Sequence, residues 1–315
     1  MKFYTCAHQY GSKVLVRGVH NGVRFTKRAD FSPTLYVKSK ESSKFKSLYG
    51  EDLQPVEFAN NNEAKEFVQT YGQVENFPIY GQTNYGYQYI THTYPGEIQW
   101  DITQLNIQTI DIETSAEQGF PDVQNPIEEV LLITVKNLNT RQIITFGCGD
   151  FDDKCEEVEN LRAQGNKFLY VKCDNERDLL ETFVRFYSEN YPDIITGWNC
   201  DLFDIAYLIS RVERLFCSED DTTMKKKFSP WGLVRRKNVT IMGREHISYD
   251  ITGVDDFAGL NHYGEYNMLM SWATVMMFQM TTWRSFSLTK TFIMPRKYWR
   301  LVSLQPVCVC VVLCC

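Results

Sequence analysis

Between residues 106 and 216 the chain alternates short apolar runs, rich in Ile and Val, with longer segments whose apolar residues recur at helical spacing. The short runs are typical of buried strands and read NIQTIDIET, EEVLLITVKN, RQIITFG, KFLYVKC and DIITGWN. The longer segments, DNERDLLETFVRFYSENY and FDIAYLISRVERLF, predict amphipathic helices, the first of them capped by Asp174 or Asn175. This order predicts a mixed α/β sheet with carboxylates at the strand ends.

Residues 1–105 predict a separate, β-rich α+β domain. Asn21 and Gly22 lie between two alternating runs, which is typical of a two-residue hairpin turn. The run SPTLYVKSK predicts a further strand, and NNEAKEFVQTYG predicts a helix capped by Asn61 or Asn62 and ending at Gly72. Four tyrosines follow, and we expect them to pack between domains rather than to stack on bases: Tyr80, Tyr85, Tyr87 and Tyr89.

Asp111 and Glu113 lie one residue apart at the end of the first strand of the predicted sheet. Because side chains alternate along a strand, both carboxylates project from the same face. Two neighbouring carboxylates repel each other and destabilise the fold unless a cation or a shared proton relieves them. The pattern alone therefore indicates either a solvated surface pair or a cation site.

Two other segments carry residues that fit such a site. The sequence GFPD places Phe120 on a Gly/Pro loop just past the acids, where its ring could meet a flat partner. The sequence TGWNCDLFDIAYL places Asn199, Phe203 and Asp204 at a loop-to-helix junction. Taken singly, each has a structural interpretation as well: core packing for Phe120, a helix cap for Asn199, and interaction with the helix dipole for Asp204.

Carboxylate oxygens at strand ends suit Mg²⁺ or Mn²⁺, which take one or two carboxylates together with phosphate oxygens. Two such ions about 4 Å apart can activate a water molecule and stabilise the leaving oxygen of a phosphodiester. In such a site Asp111 would bridge the two ions, Glu113 would hold one of them and orient the water, and Asp204 would serve the other.

Two basic runs, MKKKF and VRRKN, flank a Pro/Gly turn and predict an exposed hairpin that could hold DNA. The candidate DNA-binding residues in them are Lys225, Lys226, Lys227, Arg235 and Arg236. A net charge of −6 does not by itself point to nucleic acid, although enzymes that act on DNA often confine their basic residues to a groove. We expect no membrane partner, because no window is apolar enough to span a bilayer.

In their order and spacing, IDIET and GWNCDLFDIAYL resemble the Exo I (DxE) and Exo II (NxxxFD) motifs of the proofreading domain of family B DNA polymerases. The resemblance spans roughly residues 1–253, includes GFPD and SPTLYV, and is closest to the polymerases of T-even-type bacteriophages and their relatives. It implies a polymerase N-terminal domain at 1–105 and a ribonuclease-H-like 3′→5′ exonuclease domain at 106–256.

The resemblance also implies roles for individual residues. Asp111, Glu113 and Asp204 match the family's metal-ligand positions, and Asn199 and Phe203 belong to the Exo II site. Phe120 becomes a candidate for stacking on the unpaired 3′ end. The implied cofactor is Mg²⁺ or Mn²⁺, and the implied partners are a single-stranded DNA 3′ end and primer–template DNA in the cytoplasm of a viral host. A sliding clamp is expected only for a full-length polymerase of this family.

The resemblance stops near residue 256. The family's third motif, Exo III (YxxxD), supplies another metal-ligand Asp, but no Asp follows Asp256, and HYGEYN offers Tyr263 and Glu265 at the wrong spacing. The two-metal site is therefore expected to lack one ligand, and the motifs of the polymerase domain are missing from the chain. Residues 257–315 carry one of the 39 acids and six of the nine Met, a change in composition.

Our hypothesis is that residues 257–315 are an out-of-frame or assembly-derived extension. Resequencing of the locus would test it. The alternative is that the chain is a genuine short paralogue with a new tail. The chain as a whole is interpreted as a fragment of a viral DNA-directed DNA polymerase with an impaired proofreading exonuclease. Two alternatives remain open: a fragment that binds nucleic acid without cutting it, and a truncated product without function.

Overall fold

The computed structural model describes residues 1–241 and 243–256, and for Asp256 the backbone alone. The predicted tail at 257–315, with Tyr263 and Glu265, lies outside the described residues. Within that described part, none of the helices is both long enough and apolar enough to cross a bilayer.

Seven strands precede residue 81 and form two antiparallel sheets. They are β1 (Lys2–Tyr10), β2 (Lys13–His20), β3 (Val23–Asp30), β4 (Thr34–Lys38), β5 (Phe45–Lys46), β6 (Asp52–Glu57) and β7 (Ile79–Tyr80). The first sheet has the order β1-β2-β3 and the second the order β5-β6-β4-β7. Asn21 and Gly22 join β2 to β3 with φ angles of 50° and 78°, the left-handed conformations that a tight hairpin turn needs, so the predicted hairpin is confirmed.

Two helices, α1 (Asn61–Tyr71) and α2 (Tyr85–Thr93), complete this N-terminal region. The predicted cap of α1 is wrong by one residue, because the Asn60 side chain accepts the amides of Asn62 (2.9 Å) and Glu63 (3.2 Å). Asn61 is instead buried and donates to a backbone carbonyl of β2. The end of the helix at Gly72 is confirmed, since its amide donates to the Val68 carbonyl at 2.8 Å.

The expectation that the tyrosines pack between domains is wrong. Tyr89 packs with Val14 and Val16 of β2, and Tyr85 packs with Leu35 and Ala64, all within the N-terminal region. The periodicity of α2 explains the difference, because two tyrosines four residues apart lie on one helical face and are buried together. Tyr87, on another face of α2, is exposed.

The remaining strands and helices follow residue 106. The strands are β8 (Ile107–Thr114), β9 (Val130–Asn137), β10 (Gln142–Gly147), β11 (Lys167–Lys172), β12 (Ile194–Thr196), β13 (Val234–Ile241), β14 (Arg244–Ile251) and β15 (Asp255–Asp256). The helices are α3 (Glu156–Ala163), α4 (Glu176–Glu189), α5 (Asp204–Phe216) and α6 (Thr223–Lys226). All five predicted strands and both predicted amphipathic helices are present, whereas α3 was not predicted.

The central sheet is mixed and has the order β11-β10-β9-β8-β12-β15. β9 is antiparallel to β8 and β10, whereas β11 runs parallel to β10, and β12 and β15 run parallel to β8. α4 packs on β9 and β10, and α5 packs on β8 and β14, around one large apolar core. Asn175 caps α4 through the amide of Asp178. The predicted mixed α/β sheet is thus confirmed.

Arg17 of β2 fixes the N-terminal region against the central sheet. Its guanidinium is almost fully buried and donates to the carbonyls of Pro192 (2.7 Å), Tyr191 (3.0 Å) and Gly253. Tyr191 and Pro192 precede β12, and Gly253 precedes β15, so one arginine ties together the starts of two neighbouring strands.

Asp193 completes this contact from the central sheet. Its buried carboxylate accepts hydrogen bonds from Arg24 Nη1 at 2.6 Å and from the amide of Asn106 at 2.7 Å, and it lies 3.5 Å from Arg17 Nη2. Because Asn106 precedes β8, the same cluster also sets the start of the strand that carries Asp111. A buried ion pair of this kind tolerates the loss of one partner poorly.

Replacing the buried acid should therefore destabilise the protein. We expect Asp193→Asn to lower the free energy of unfolding by about 3 kcal/mol, because it leaves the buried guanidinium of Arg17 without a countercharge. The control is Asp30→Asn, which breaks an exposed ion pair with Lys13 and should cost less than about 1 kcal/mol. Urea denaturation measures both, and equal effects of the two variants would contradict the assignment.

Candidate active site

Asp111 and Glu113 are both half-buried on one face of β8, while Ile110 and Ile112 are buried on the other. The pairing of β8 with β9 shifts between Glu113 and Thr114, so a β-bulge follows the second acid. Bulges of this kind redirect a strand and recur beside functional sites. The strand therefore presents both acids on one side immediately before the chain turns away from the sheet.

Asp204 is the first residue of α5 and is 4% exposed. β12 pairs with β8 only as far as Thr196, which lies opposite Thr109. Beyond Thr109, the backbone groups on this edge of β8 need another hydrogen-bond partner. The amide of Ile112 on this edge donates to Asp204 Oδ1 at 3.1 Å. The carboxylate is thereby attached to the backbone between the two acids of β8.

Two residues in the turn between β12 and α5 allow Asp204 to lie so close to β8. A Cβ atom at Gly197 would lie 2.6 Å from the Ile110 carbonyl, so only glycine lets the turn come so close to β8. Asn199 has a φ of 59°, a left-handed conformation that asparagine tolerates, and its carbonyl accepts the amide of Phe203 at 2.9 Å. Phe203 is the N-cap position of α5, so Asn199 does not cap the helix.

The three acids have perturbed pKa values with related causes. Burial raises the pKa of Asp111 to about 6. Burial, and after it the charge of Asp111, raise the pKa of Glu113 to about 7. Burial and then the charge of Asp111 also hold the pKa of Asp204 well above its usual range. Each ionised acid thus raises the cost of ionising the next, and a bound cation would relieve all three.

This site fits a divalent cation electrostatically but is open in geometry. Among residues 1–241 and 243–256, no three Asp, Glu, His or Cys side chains converge into a closed metal cage. Mg²⁺ often takes only one or two carboxylates and completes its shell with water and phosphate oxygens. The carboxylates of Asp111, Glu113 and Asp204 suit that incomplete type of site.

β15 puts the backbone of Asp255 and Asp256 far from the acids of β8. Their backbone pairs with Ile194 and Ile195, the residues of β12 that face Ile107 and Gln108 of β8. Ile107 and Gln108 lie about 13 Å and about 10 Å along the strand before Asp111, at a rise of about 3.3 Å per residue. The last two acids before the tail are therefore at the wrong end of the sheet.

An aromatic cleft, which we call the Phe120 cleft, adjoins the acids along the chain. It has a volume of about 510 Å³, and its lining includes Phe120, Trp198, Asn199, Leu202, Phe203, Glu245, His246 and Ile247. Phe120 and Trp198 are 73% and 61% exposed, and the ring centroids of Phe120 and Phe203 are 6.1 Å apart. Exposed rings around a cleft of this size are suited to stack on unpaired bases.

Sequence reasoning missed two parts of this cleft. Trp198 lies in the quoted TGWN run, and its position between a glycine and an asparagine, residues that favour turns, was the available signal that its ring would be exposed. The wall contributed by β14, with His246 and Ile247, had no sequence signal, because its place in the cleft depends on how the hairpin packs on α5.

The first basic run does not belong to the predicted hairpin. Lys225 and Lys226 lie in α6, and the hairpin is instead formed by β13 and β14. Lys225 Nζ pairs with Glu213 at 2.8 Å and lies 5.4 Å from the ring centroid of Tyr249, which indicates a structural role. Lys226 and Lys227 are exposed.

The second basic run lies on β13. Arg235 and Arg236 are exposed, and they point to opposite sides because neighbouring side chains alternate along a strand. Arg235 and Lys237 share Asp250 of β14, at 2.7 and 2.9 Å. The positive charge of this run is thus partly neutralised within the hairpin.

Glu113 gives the site a measurable pH dependence when no metal is bound. An acid whose pKa is higher in the folded than in the unfolded state destabilises the fold as the pH rises from its unfolded pKa through its folded pKa. At about pH 8 in EDTA, Glu113→Gln should therefore raise the free energy of unfolding by about 2 kcal/mol, and by less than about 1 kcal/mol at pH 5. Glu117→Gln, in the exposed part of the next loop, is the control, and a gain independent of pH would contradict this account.

The chain is similar in sequence to known DNA polymerases. The family model described as DNA polymerase family B, exonuclease domain, matches residues 71–256. The DNA-directed DNA polymerase of Enterobacteria phage T4 is 25% identical over 287 residues, covering 84% of this chain and 31% of the relative. That of Escherichia phage RB69 is 26% identical over 279 residues, covering 82% and 30%.

A further relative, matched over a shorter segment, is the DNA polymerase catalytic subunit of Elephantid herpesvirus 1, which is 31% identical over 103 residues, 31% of this chain and 9% of the relative. The chain thus spans less than a third of the length of these curated relatives. The family model covers more than half of the chain and includes β8, α5 and the residues that line the Phe120 cleft. The chain therefore belongs to family B of the DNA polymerases and carries the exonuclease domain of that family.

Proposed function

We propose that this chain is the N-terminal and 3′→5′ exonuclease part of a viral DNA-directed DNA polymerase that serves in DNA replication. The observation that carries the proposal is the joint placement of three interacting carboxylates, Asp111, Glu113 and Asp204, beside a cleft with exposed aromatic rings. The ribonuclease-H-like form of the sheet and the domain boundaries at 105 and 256 belong to the same proposal.

In this proposal the carboxylates of Asp111, Glu113 and Asp204 hold Mg²⁺ or Mn²⁺. Bound metal would lower the pKa of a water molecule and neutralise charge on the phosphodiester. Phe120 and Phe203 hold the terminal base of a single-stranded 3′ end, and Asn199 contacts it from the turn before α5. Hydrolysis then joins water to phosphorus, breaks the bond to the 3′ oxygen of the preceding nucleotide, and releases a nucleoside monophosphate.

We further propose that the exonuclease activity is weak. Two observations support this: Asp111, Glu113 and Asp204 interact electrostatically, and the register of β15 puts the backbone of Asp255 and Asp256 at the other end of the strands. With one ligand fewer than the family pattern, the metal would be held less tightly and the developing charge less well neutralised. Trace cleavage is the expected activity of this chain, without polymerisation.

A second candidate, binding without cleavage, is favoured by the cleft itself. Phe120 and Trp198 are more exposed than the acids are, so the aromatic rings can engage single-stranded DNA even where the metal is poorly held. Exposed basic residues that could contact phosphates in this mode are Lys226, Lys227 and Arg236.

The proposed partners of the whole polymerase go beyond this chain. Its substrate would be primer–template DNA in the host cytoplasm, and a sliding clamp is proposed as a partner only of the full-length members of the family.

Cleavage of labelled DNA tests the proposed function. Purified protein is incubated with single-stranded DNA labelled at its 5′ end, in Mg²⁺ or Mn²⁺, and shortening from the 3′ end is followed on a gel. We expect slow shortening that Asp111→Asn reduces at least about 100-fold, because a neutral amide would hold a divalent cation less tightly than the carboxylate does.

Asp220→Asn, an exposed acid beyond α5, is the matched control and should cleave as the wild type does. Retarded mobility without shortening would favour the binding function instead. Shortening that survives in Asp111→Asn would contradict the assignment of the site, and nucleotide incorporation by this chain would contradict the proposed domain content.

A further inference from the structure

The Phe120 loop, residues 115–129, leaves the sheet at the bulge after Glu113 and returns to it at β9. Its two ends are paired: the Ser115 amide donates to the Glu129 carbonyl at 2.8 Å, and the Glu129 amide donates to Ser115 Oγ at 2.9 Å. Phe120 lies near the far end of this loop and is 73% exposed. The position of its ring therefore depends on what orders the loop backbone.

The carboxylate of Glu128, near the end of the loop, accepts hydrogen bonds from residues at its start. Glu128 is 3% exposed, and it accepts hydrogen bonds from the Ser115 hydroxyl and from the amides of Glu117 (3.1 Å) and Gln118 (2.6 Å). These donors hold the pKa of Glu128 below its ordinary value, with the Ser115 hydroxyl as the largest cause. A buried charge is retained at such a place only when donors of this kind satisfy it.

Helix α5 holds the returning side of the same loop. The Tyr207 hydroxyl donates to the Glu128 carbonyl at 2.8 Å, and Arg211 Nη1 donates to the carbonyls of Pro126 (2.8 Å) and Ile127 (3.0 Å). Tyr207 is one helical turn after Phe203, and their ring centroids are 5.7 Å apart. The helix that carries Phe203 and Asp204 thus also anchors the loop that carries Phe120.

We propose that Glu128 is a positioning residue of the Phe120 cleft: its buried carboxylate orders the Phe120 loop on α5, so that the rings of Phe120 and Phe203 are set for a single-stranded 3′ end before it binds. The inference rests on the proposed function, because it assigns the cleft to single-stranded DNA. Ordering a loop in advance removes an entropy cost from binding, which raises affinity without adding a contact.

The test measures binding of a fluorescein-labelled oligothymidylate by anisotropy in EDTA, where no cleavage occurs. We expect Glu128→Gln to weaken binding about 5-fold, because an amide offers one acceptor oxygen in place of two. Hydrogen exchange at the amides of Glu117 and Gln118 should quicken in the same variant. Glu117→Gln, whose side chain is exposed on the same loop, is the control and should bind as the wild type does.

A double-mutant cycle separates positioning from general destabilisation. If Glu128 acts through Phe120, the variant Glu128→Gln with Phe120→Ala should bind no more weakly than Phe120→Ala alone. Additive losses would overturn the inference, as would unchanged binding by Glu128→Gln. A wild-type chain that binds no oligothymidylate would overturn the proposed function and the inference together.

A milder variant covers the case in which Glu128→Gln fails to fold. Tyr207→Phe removes only the hydroxyl that donates to the Glu128 carbonyl and keeps the buried ring. We expect it to weaken oligothymidylate binding about 2-fold, again without effect once Phe120 is replaced by Ala. Binding equal to that of the wild type in this variant, with the fold intact by circular dichroism, would overturn the role given to the loop.

Discussion

The hydrogen bond from the Ile112 amide to Asp204 is the contact on which the site depends. β12 is too short to cover the whole edge of β8, and a carboxylate from the next helix takes over where the strand stops. This satisfies a backbone donor and at the same time brings a third negative charge to two acids that already repel each other. The sheet is completed at the cost of electrostatic strain, and a divalent cation is the simplest agent that relieves it.

The same connection organises the surroundings of the acids. α5 starts at Asp204, presents Phe203 to the cleft, and holds the returning half of the Phe120 loop through Tyr207 and Arg211. At the other end of the strands, Arg17 and Asp193 join the N-terminal region to the starts of β8, β12 and β15. One end of the parallel strands is therefore fixed by a buried charge pair. At the opposite end, no basic side chain of the described residues forms an ion pair with Asp111, Glu113 or Asp204.

The mixed sheet and the two acids on β8 could be predicted from the sequence, because they depend on local patterns: alternation along a strand and helical spacing. The β2–β3 hairpin could be predicted from its Asn-Gly turn. The errors came from features that depend on packing. Asn60 caps α1 because Asn61 is used elsewhere, in a hydrogen bond to β2. The basic run that holds Lys225 forms α6 rather than part of the predicted hairpin. Trp198 was missed although its local sequence carried a signal. The β14 wall of the cleft and Glu128 were missed because they depend on packing against α5, which is distant in sequence.

Manganese binding tests the central claim, that Asp111, Glu113 and Asp204 form one cation site, most directly. Free Mn²⁺ is titrated into the protein at about pH 8 and followed by its electron paramagnetic resonance signal, with circular dichroism confirming that each variant is folded. The account predicts that the wild type binds Mn²⁺ and that Glu113→Gln and Asp204→Asn each weaken binding at least about 10-fold. Wild-type affinity retained in both variants would contradict it.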